Sequence, residues 1–185
     1  LVRFGWAGRN DMVNNQSGYG FRKKDAAGRE VRASFSYPMF QQFVASNQTM
    51  EELFACAPFG RVNVVVDGQA DIATAFITTG NYYRVLGVTA SLGRTIVPED
   101  DQPSAPPVAV ISHKYWRSRF AGDPNVTGKI VRINNVPVTI VGVLEATFTG
   151  IQRAVPGADP PEVSVPLALD SQLTPNAPGA PGGSR

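Results

Sequence analysis

Residue types that commonly perform catalysis are scarce in this 185-residue chain, which holds one histidine, His113, and one cysteine, Cys56. A zinc site needs clustered Cys and His ligands, which two residues so far apart in the sequence do not provide. Ser112 adjoins His113, but neighbours on a helix point apart, and the serine is better explained as an N-cap than as a nucleophile. Cys56 lies in the apolar run Leu53–Ala57, which predicts a buried and unreactive thiol.

Three carboxylates stand together at Glu99, Asp100 and Asp101. Their spacing is not that of an EF-hand, so a solvated acidic turn that bonds nearby amides explains them better than a calcium site. Together with Glu145, they leave open a small secreted hydrolase or carbohydrate-active domain. The sequence nevertheless predicts no catalytic, cofactor-binding or metal-binding residue, and we expect no intrinsic enzymatic activity.

Composition narrows the possible partners and locations. The net charge of +2 is too small to indicate a nucleic-acid partner, and the one basic run, Arg22–Lys24, is predicted to lie in a long solvated loop over Ala7–Glu30. No apolar run approaches the roughly 20 residues needed to cross a bilayer. Leu1–Asn10 has no signal-peptide pattern, and the chain does not begin with Met. We therefore expect the sequence to be part of a longer protein.

The region after residue 107 gives the clearest structural signals. A β-branched run at Val108–Ile111 predicts a strand, after which Ser112 caps a helix predicted over His113–Ala121. Trp116 and Phe120 lie four residues apart and share one face of that helix, so both are predicted to be core residues.

Two β-hairpins and a last strand are also predicted. The first hairpin spans Arg61–Thr79 around the turn Asp67-Gly68, and the second spans Val131–Val143 around Asn134-Asn135. Both dipeptides tolerate the positive φ that a two-residue hairpin turn requires. The last strand is predicted over Val163–Leu169.

Short helices complete the predicted elements. Apolar residues at helical spacing predict a helix over Tyr37–Ser46, and a capping-box pattern at Thr49–Glu52 predicts a second helical piece. A helix of one to two turns is predicted over Tyr82–Leu86, where Gly87 stops it. The alternation of β-branched runs with capped segments predicts an α+β fold.

Four blocks of the sequence together carry a resemblance to a known family. They are Ser36-Tyr37-Pro38-x-Phe40-x-x-Phe43, Gly80-Asn81-Tyr82-Tyr83-x-x-Leu86-Gly87-Val88 continuing to Leu92-Gly93-Arg94, the stretch Val108–Val143, and Phe148-Thr149-Gly150 followed by Val163-x-Val165-Pro166-Leu167. In this order and spacing they resemble the MacB-like periplasmic core domain of bacterial, FtsX-like ABC-transporter permeases. The likeness is closest to the duplicated orphan permeases of acidobacteria.

The resemblance implies a porter-like α/β lobe and a β-rich second lobe. Residues 1–100 would form the first porter half with its long N-terminal loop, residues 101–169 the inserted β-rich lobe, and residues 170–185 a flexible Pro/Gly-rich tail. The family's second porter half does not follow the last strand, so we expect an incomplete porter lobe. The apolar face of the Tyr37–Ser46 helix and the edge of the first hairpin would then lack neighbours, and the isolated chain would self-associate or be marginally stable.

The resemblance also implies a non-catalytic extracytoplasmic domain that couples movement of membrane helices to a partner or a substrate. Expected partners are the protein's own transmembrane helices, a separate cytoplasmic ATPase subunit or domain, a periplasmic protein and a second copy in a dimeric transporter. The domain would lie on the periplasmic side of the inner membrane. Besides the secreted hydrolase, a free-standing periplasmic binding module stays an alternative, and the substrate is not indicated.

Overall fold

The computed structural model describes residues 4–6, 22–24, 30–32, 34–35, 37–151 and 160–174, with side chains described from residue 37 onward. Within these residues the strands are β1 (Phe4–Trp6), β2 (Arg22–Lys24), β3 (Glu30–Arg32), β4 (Ser34–Phe35), β5 (Ala55–Val66), β6 (Gln69–Thr78), β7 (Ala90–Gly93), β8 (Val108–Ile111), β9 (Ile130–Ile133), β10 (Val136–Leu144) and β11 (Val163–Pro166). The α-helices are α1 (Tyr37–Ala45), α2 (Tyr82–Val85), α3 (His113–Arg119) and α4 (Asp170–Leu173). The predicted α+β fold is confirmed.

Six strands pair in a closed cycle, which we call the strand ring. β5 pairs with β6, β6 with β11, β11 with β8, β8 with β10, and β10 with β9, which pairs again with β5. The β6–β11 and β8–β10 pairs are parallel, and the others are antiparallel. Each strand of the ring has a paired neighbour on both sides. Closing a sheet in this way removes the unpaired backbone edges that an open sheet would expose.

The main hydrophobic core lies among the strands of this ring. Side chains alternate along β5, so Val62 and Val64 are buried while Arg61 and Asn63 are exposed. Alternation on the other strands contributes Ala73, Ala75, Ile77, Ala109, Ile111, Val131, Ile133, Val138, Ile140, Val163 and Val165 to the same core.

The residues of α3 that are buried in this core are not all those that the sequence predicts. Phe120, just after the helix, is buried as expected, but Trp116 is only partly buried and packs against the core from its rim. Tyr115 is the fully buried ring of the helix. The indole N–H of Trp116 donates to the Asp123 carbonyl at 2.9 Å, which favours a position near the surface for this amphipathic side chain.

Both predicted hairpins and both predicted turns are confirmed. At the first turn, φ is +50° at Asp67 and +77° at Gly68, and at the second it is +46° at Asn134 and +71° at Asn135. Paired positive φ values give a twist that matches that of the flanking strands. These turns bring β5 beside β6 and β9 beside β10.

Strand β5 is 12 residues long and belongs to two parts of the sheet. Its first residues pair in parallel with β1, which also pairs with β4, whereas its later residues pair with β9 in the ring. The register shifts near Gly60, where φ is +103°. Beside the early part of β5, Phe40 of α1 packs with Leu53 and Ala55. One continuous strand therefore connects the β1–α1 region to the strand ring.

Two local predictions in the first half of the chain are wrong. Arg22–Lys24, predicted to lie in a loop, is strand β2 and pairs with β3, because backbone pairing does not require alternating apolar side chains. Thr49–Glu52 forms no helix. The Asn47 carboxamide instead accepts from the amides of Thr49 and Met50 at 3.2 and 2.9 Å, and it thereby stabilises a turn in place of a helix.

The last strand is shorter than predicted, and the beginning of the predicted tail is packed. β11 ends at Pro166, and Leu167–Leu169 forms a 3₁₀ turn that leads into α4. Leu173 is fully buried in the main core, and its carbonyl accepts from the Asn134 side chain at 2.9 Å. Burial of Leu173 thus orders residues that composition alone predicts to belong to a flexible tail. The part of the tail after residue 174 lies outside the described residues.

The expectation of unpaired hairpin edges is also wrong, since β5 pairs with β9 and β6 with β11. In contrast, Tyr37, Met39 and Val44 of α1 are exposed. Self-association of the isolated chain stays a prediction, and only this helix face now motivates it. The division at residue 100 also stays a prediction; the strand ring takes strands from both sides of it.

Candidate functional site

Three residue types that first suggested chemistry take structural roles. The Ser112 hydroxyl accepts from the Tyr115 amide at 3.2 Å, which confirms the predicted N-cap of α3. The His113 ring lies edge-on to Trp116, with 5.2 Å between ring centroids. Cys56 is 4% exposed and packs in an aromatic cluster, as predicted for a buried thiol. These contacts do not form a nucleophile–base pair.

The acidic turn bonds nearby amides, as the sequence predicts. Asp100 accepts two hydrogen bonds from the Arg94 guanidinium, at 2.6 and 2.9 Å, and one from the Val97 amide at 3.0 Å. Burial disfavours the charged form of Asp100, but the bonds from Arg94 and Val97 outweigh it, and its pKa lies below the ordinary value. Glu99 is exposed.

Asp101 connects two distant segments of the chain. Its two carboxylate oxygens accept from the Gly80 amide at 3.1 Å and from the Ala168 amide at 2.8 Å. Burial raises the pKa of Asp101, although these amide hydrogen bonds work in the opposite direction. The carboxylate therefore fixes the start of the α2 segment against the segment that follows β11.

The carboxylates of the chain do not assemble into a metal site in the part of the chain that the structure describes. Among residues 37–151 and 160–174, no three His, Cys, Asp or Glu side chains are arranged to hold a metal ion. Glu145 follows β10, and its amide donates to the Thr89 carbonyl at 3.4 Å.

A second polar network lies where β6 ends and α2 begins. The Thr79 hydroxyl accepts from the Ala55 amide at 3.0 Å and lies 2.9 Å from the Asn81 side-chain oxygen. The Asn81 side-chain nitrogen, Nδ2, donates to the Leu53 carbonyl at 2.9 Å and to the Glu52 carboxylate at 3.2 Å. The end of β6 is thus tied to the beginning of β5.

An ion pair extends this network onto α2. The two terminal guanidinium nitrogens of Arg84, Nη1 and Nη2, donate to the two carboxylate oxygens of Glu52. This hydrogen bonding to Arg84, supported by Asn81, lowers the pKa of the Glu52 carboxyl. We call the connected set of side chains and amides the joint; it consists of Glu52, Ala55, Thr79, Gly80, Asn81, Arg84, Asp101 and Ala168.

The joint requires a glycine at position 80. A Cβ added to Gly80 would lie 2.4 Å from the Cα of Pro98 and 2.6 Å from the Val97 carbonyl oxygen. No larger residue fits without movement of the backbone, because these contacts are with main-chain atoms. This close approach explains the Gly80-Asn81 pair in the sequence: the glycine admits the neighbouring segment, and the asparagine bonds across to Leu53.

Beneath the joint, α2 is anchored by its two tyrosines. Tyr82 and Tyr83 are buried, and the Tyr82 ring lies edge-on to Phe54 with 5.2 Å between centroids. Burial raises the pKa of Tyr83, and a hydrogen bond with Ser164 of β11 partly opposes that shift. The helix is thereby packed against the residue just before β5 and against β11.

Only half of the joint can be found from the sequence. The Gly80-Asn81-Tyr82-Tyr83 block stands out, but its partners do not, because Glu52 lies 29 positions from Asn81 and Asp101 lies 21 positions from Gly80. The one usable signal is the acidic turn, whose sequence predicts bonding to nearby amides. The assembled joint holds its carboxylates with amides and a guanidinium, an arrangement suited to holding segments together.

Two solved structures of transporter domains share this fold. The periplasmic region of MacB from Actinobacillus actinomycetemcomitans aligns with 18% identity and a TM-score of 0.56, over 75% of this chain and 59% of that one. The extracellular domain of the noncanonic ABC-type transporter YknZ from Gram-positive bacteria aligns with 19% identity and a TM-score of 0.56, over 75% of this chain and 65% of that one. This chain therefore spans less than two thirds of either relative. No curated protein sequence matches it.

The fold is that of an extracytoplasmic domain of ABC-type transporters. The sequence model of the MacB-like periplasmic core domain matches residues 4–176, and the chain belongs to that family of permease domains. None of the helices within the described residues is long and apolar enough to cross a membrane.

Proposed function

We propose that this domain is a non-catalytic, extracytoplasmic part of an ABC-type permease that transmits movement of membrane helices to a partner or a substrate. One observation carries the proposal: strand β5 pairs with β1 at its beginning and with β9 of the strand ring further along, and the joint fixes the beginning of this strand to the end of β6. A displacement applied to one region would be passed to the other as a rigid-body movement, because packed cores deform little.

The chemistry of the joint supports transmission over hydrolysis. Asp101 is engaged by two backbone amides, and Glu52 and Asp100 are engaged by arginines. A general acid or base must exchange a proton with a substrate, whereas these carboxylates are occupied by fixed donors. Of the four carboxylates that motivate the secreted-hydrolase alternative, Asp100 and Asp101 are therefore committed to structural hydrogen bonds.

The proposed setting includes partners that lie outside this chain. The domain would be attached to its own transmembrane helices in the inner membrane and would face the periplasm. A separate cytoplasmic ATPase subunit or domain would supply the energy, and the assembled transporter would be a dimer that contacts a periplasmic protein. Family membership and the extracytoplasmic fold support this arrangement.

Thiol labelling of the full-length permease tests the location. Cys56 is buried, so a cysteine introduced at the exposed Asn125 should be the main reactive thiol of this domain. An impermeant maleimide should label Asn125→Cys in intact spheroplasts. Labelling of this position only after lysis would contradict an extracytoplasmic domain.

Coupling is tested on the same permease, reconstituted with its ATPase in lipid nanodiscs. The maleimide reaction rate of Gln42→Cys on α1 should differ between the nucleotide-free and vanadate-trapped states, because α1 moves with the membrane helices. The reaction rate of Asn125→Cys should also differ between the two states, and adding Arg84→Gln should reduce that difference. Arg132→Gln, remote from the joint in sequence, serves as the control. Equal rates in all nucleotide states at both positions would contradict coupling.

A further inference from the structure

A cavity of about 330 Å³ lies beside the β5–β6 hairpin, and its described lining includes no residue of the joint. It is bounded by residues of these two strands, by the first residues of α3, and by the segments around Phe148 and Glu162. Its volume falls at the lower end of the range for small-molecule sites. None of the functional roles described above uses it.

Two cationic side chains of this cavity form no ion pair with any residue that the structure describes. Arg61 projects from β5 and Lys114 from α3, and both are exposed. Neither side chain makes an ion pair or hydrogen bond within the described residues, whereas Arg84, Arg94, Arg119 and Lys129 are all paired. Two unpaired cations that line the same cavity favour an anionic ligand, since the ligand would supply the missing acceptors.

Glu162 is the one carboxylate among the described residues that line the cavity, and it is already engaged. Glu162 accepts from the Thr74 amide at 2.8 Å, its own amide donates to the Thr74 carbonyl at 2.9 Å, and its carbonyl accepts from the Ser112 amide at 2.9 Å. These bonds hold Glu162 against β6. Among the described residues of the lining, two cationic side chains thus stand against one carboxylate that is already bonded.

Apolar groups form the remaining wall. Ile72 is 49% exposed on β6, although it is a large aliphatic residue, and Phe148 and Pro161 also line the cavity. An apolar surface next to unpaired cations fits a ligand that carries an apolar group beside its negative charge. An inorganic anion would leave this wall in contact with water.

We infer that this cavity binds a carboxylate that carries an adjacent aliphatic group, with Arg61 and Lys114 holding the carboxylate and Ile72 contacting the aliphatic part. A planar carboxylate can accept two parallel hydrogen bonds from a guanidinium, which favours Arg61 as the orienting residue. The carboxylate can belong to a free acid or to an acidic residue of a peptide segment. Binding does not depend on the proposed coupling, so either can fail without the other.

Calorimetry on the full 185-residue chain tests the site with two pairs of probes. N-acetyl-leucine represents a free acid, and N-acetyl-leucinamide is its uncharged control. Acetyl-Leu-Glu-Leu-amide represents a peptide segment, and acetyl-Leu-Gln-Leu-amide is its control. We expect at least one charged probe to bind with a dissociation constant of about 1 mM or below, and its control to bind about tenfold more weakly or not at all.

Three variants connect binding to the cavity. Arg61→Gln and Lys114→Gln should each weaken the affinity for the bound probe by about tenfold. Arg132→Gln, which removes an exposed arginine elsewhere in the ring, should leave that affinity unchanged. Circular dichroism and urea unfolding should match for all three, since the substituted side chains are exposed.

Binding of the free acid but not the peptide identifies a small-molecule site, and the reverse identifies a peptide site; both support the inference. Equal affinity for charged probe and control, no binding of either charged probe, or an equal loss in Arg132→Gln would overturn it.

Discussion

Thr79 and Ala55 are joined by three short contacts that hold the end of β6 to the start of β5. The Thr79 amide donates to the Ala55 carbonyl at 2.8 Å, the Ala55 amide donates to the Thr79 hydroxyl at 3.0 Å, and that hydroxyl lies 3.2 Å from the Ala55 carbonyl. The neighbouring Thr78 is also buried, but its hydroxyl has no hydrogen-bond partner in the described structure.

These adjacent threonines provide a matched test of the joint. Thr79→Val should lower the free energy of unfolding by about 1–3 kcal/mol, because the buried Ala55 amide loses its acceptor. Thr78→Val should be neutral or should stabilise the domain by about 1 kcal/mol, because it removes an unsatisfied buried hydroxyl. Urea unfolding of both variants measures the difference. A loss of stability in Thr78→Val equal to that in Thr79→Val would contradict the assigned roles.

Asp101 provides a second test, on the link between the α2 segment and the segment after β11. Asp101→Asn should destabilise the domain by about 1–3 kcal/mol, since the asparagine nitrogen would face one of two amide donors that now share the carboxylate. Glu99→Gln, at an exposed position two residues earlier, should change stability by less than about 0.5 kcal/mol. Hydrogen exchange should show faster exchange of the Gly80 and Ala168 amides in Asp101→Asn alone.

The Glu52–Arg84 pair predicts part of the acid sensitivity of the domain. Hydrogen bonding from Arg84 holds the folded-state pKa of Glu52 below its ordinary value of 4.5, so the unfolded chain binds the proton more readily. The stabilisation from this pair is complete above the ordinary value and is lost as the pH falls through the lowered pKa.

Unfolding measured between about pH 6 and about pH 3 tests this sign. Stability of the unmodified chain should fall more steeply with acidification than that of Glu52→Gln or Arg84→Gln, and the two variants should have similar slopes. If Glu52→Gln retains the full acid sensitivity of the unmodified chain, the ion pair does not contribute to it.

The aromatic residues near α3 predict a ranking of truncation effects. Phe120→Ala should cost about 3–5 kcal/mol, because it empties part of the main core. Trp116→Ala should cost less, about 1–3 kcal/mol, since the ring is only partly buried and loses one hydrogen bond to the Asp123 carbonyl. Thermal or urea unfolding of the two variants gives the order directly. A greater loss in Trp116→Ala would show that the indole contributes more than its burial indicates.

Local chemistry determined the elements that the sequence predicted correctly. Asp67-Gly68 and Asn134-Asn135 adopt positive φ because these residue types tolerate it, whatever the remainder of the chain does. Ser112 caps α3 by a bond to the amide of Tyr115, only three positions away. Such interactions involve residues close in sequence, so residue type and spacing suffice to predict them.

Only the tertiary structure decided how these elements combine. Closure of the strand ring depends on β9 meeting β5, and the joint depends on Asp101 meeting Ala168, 67 positions away. Burial of Leu173 orders the beginning of a segment whose composition predicts a tail. In each case the partner is selected by the packing of the whole core, because many distant residues could satisfy the same donor, strand edge or apolar side chain until the ring closes.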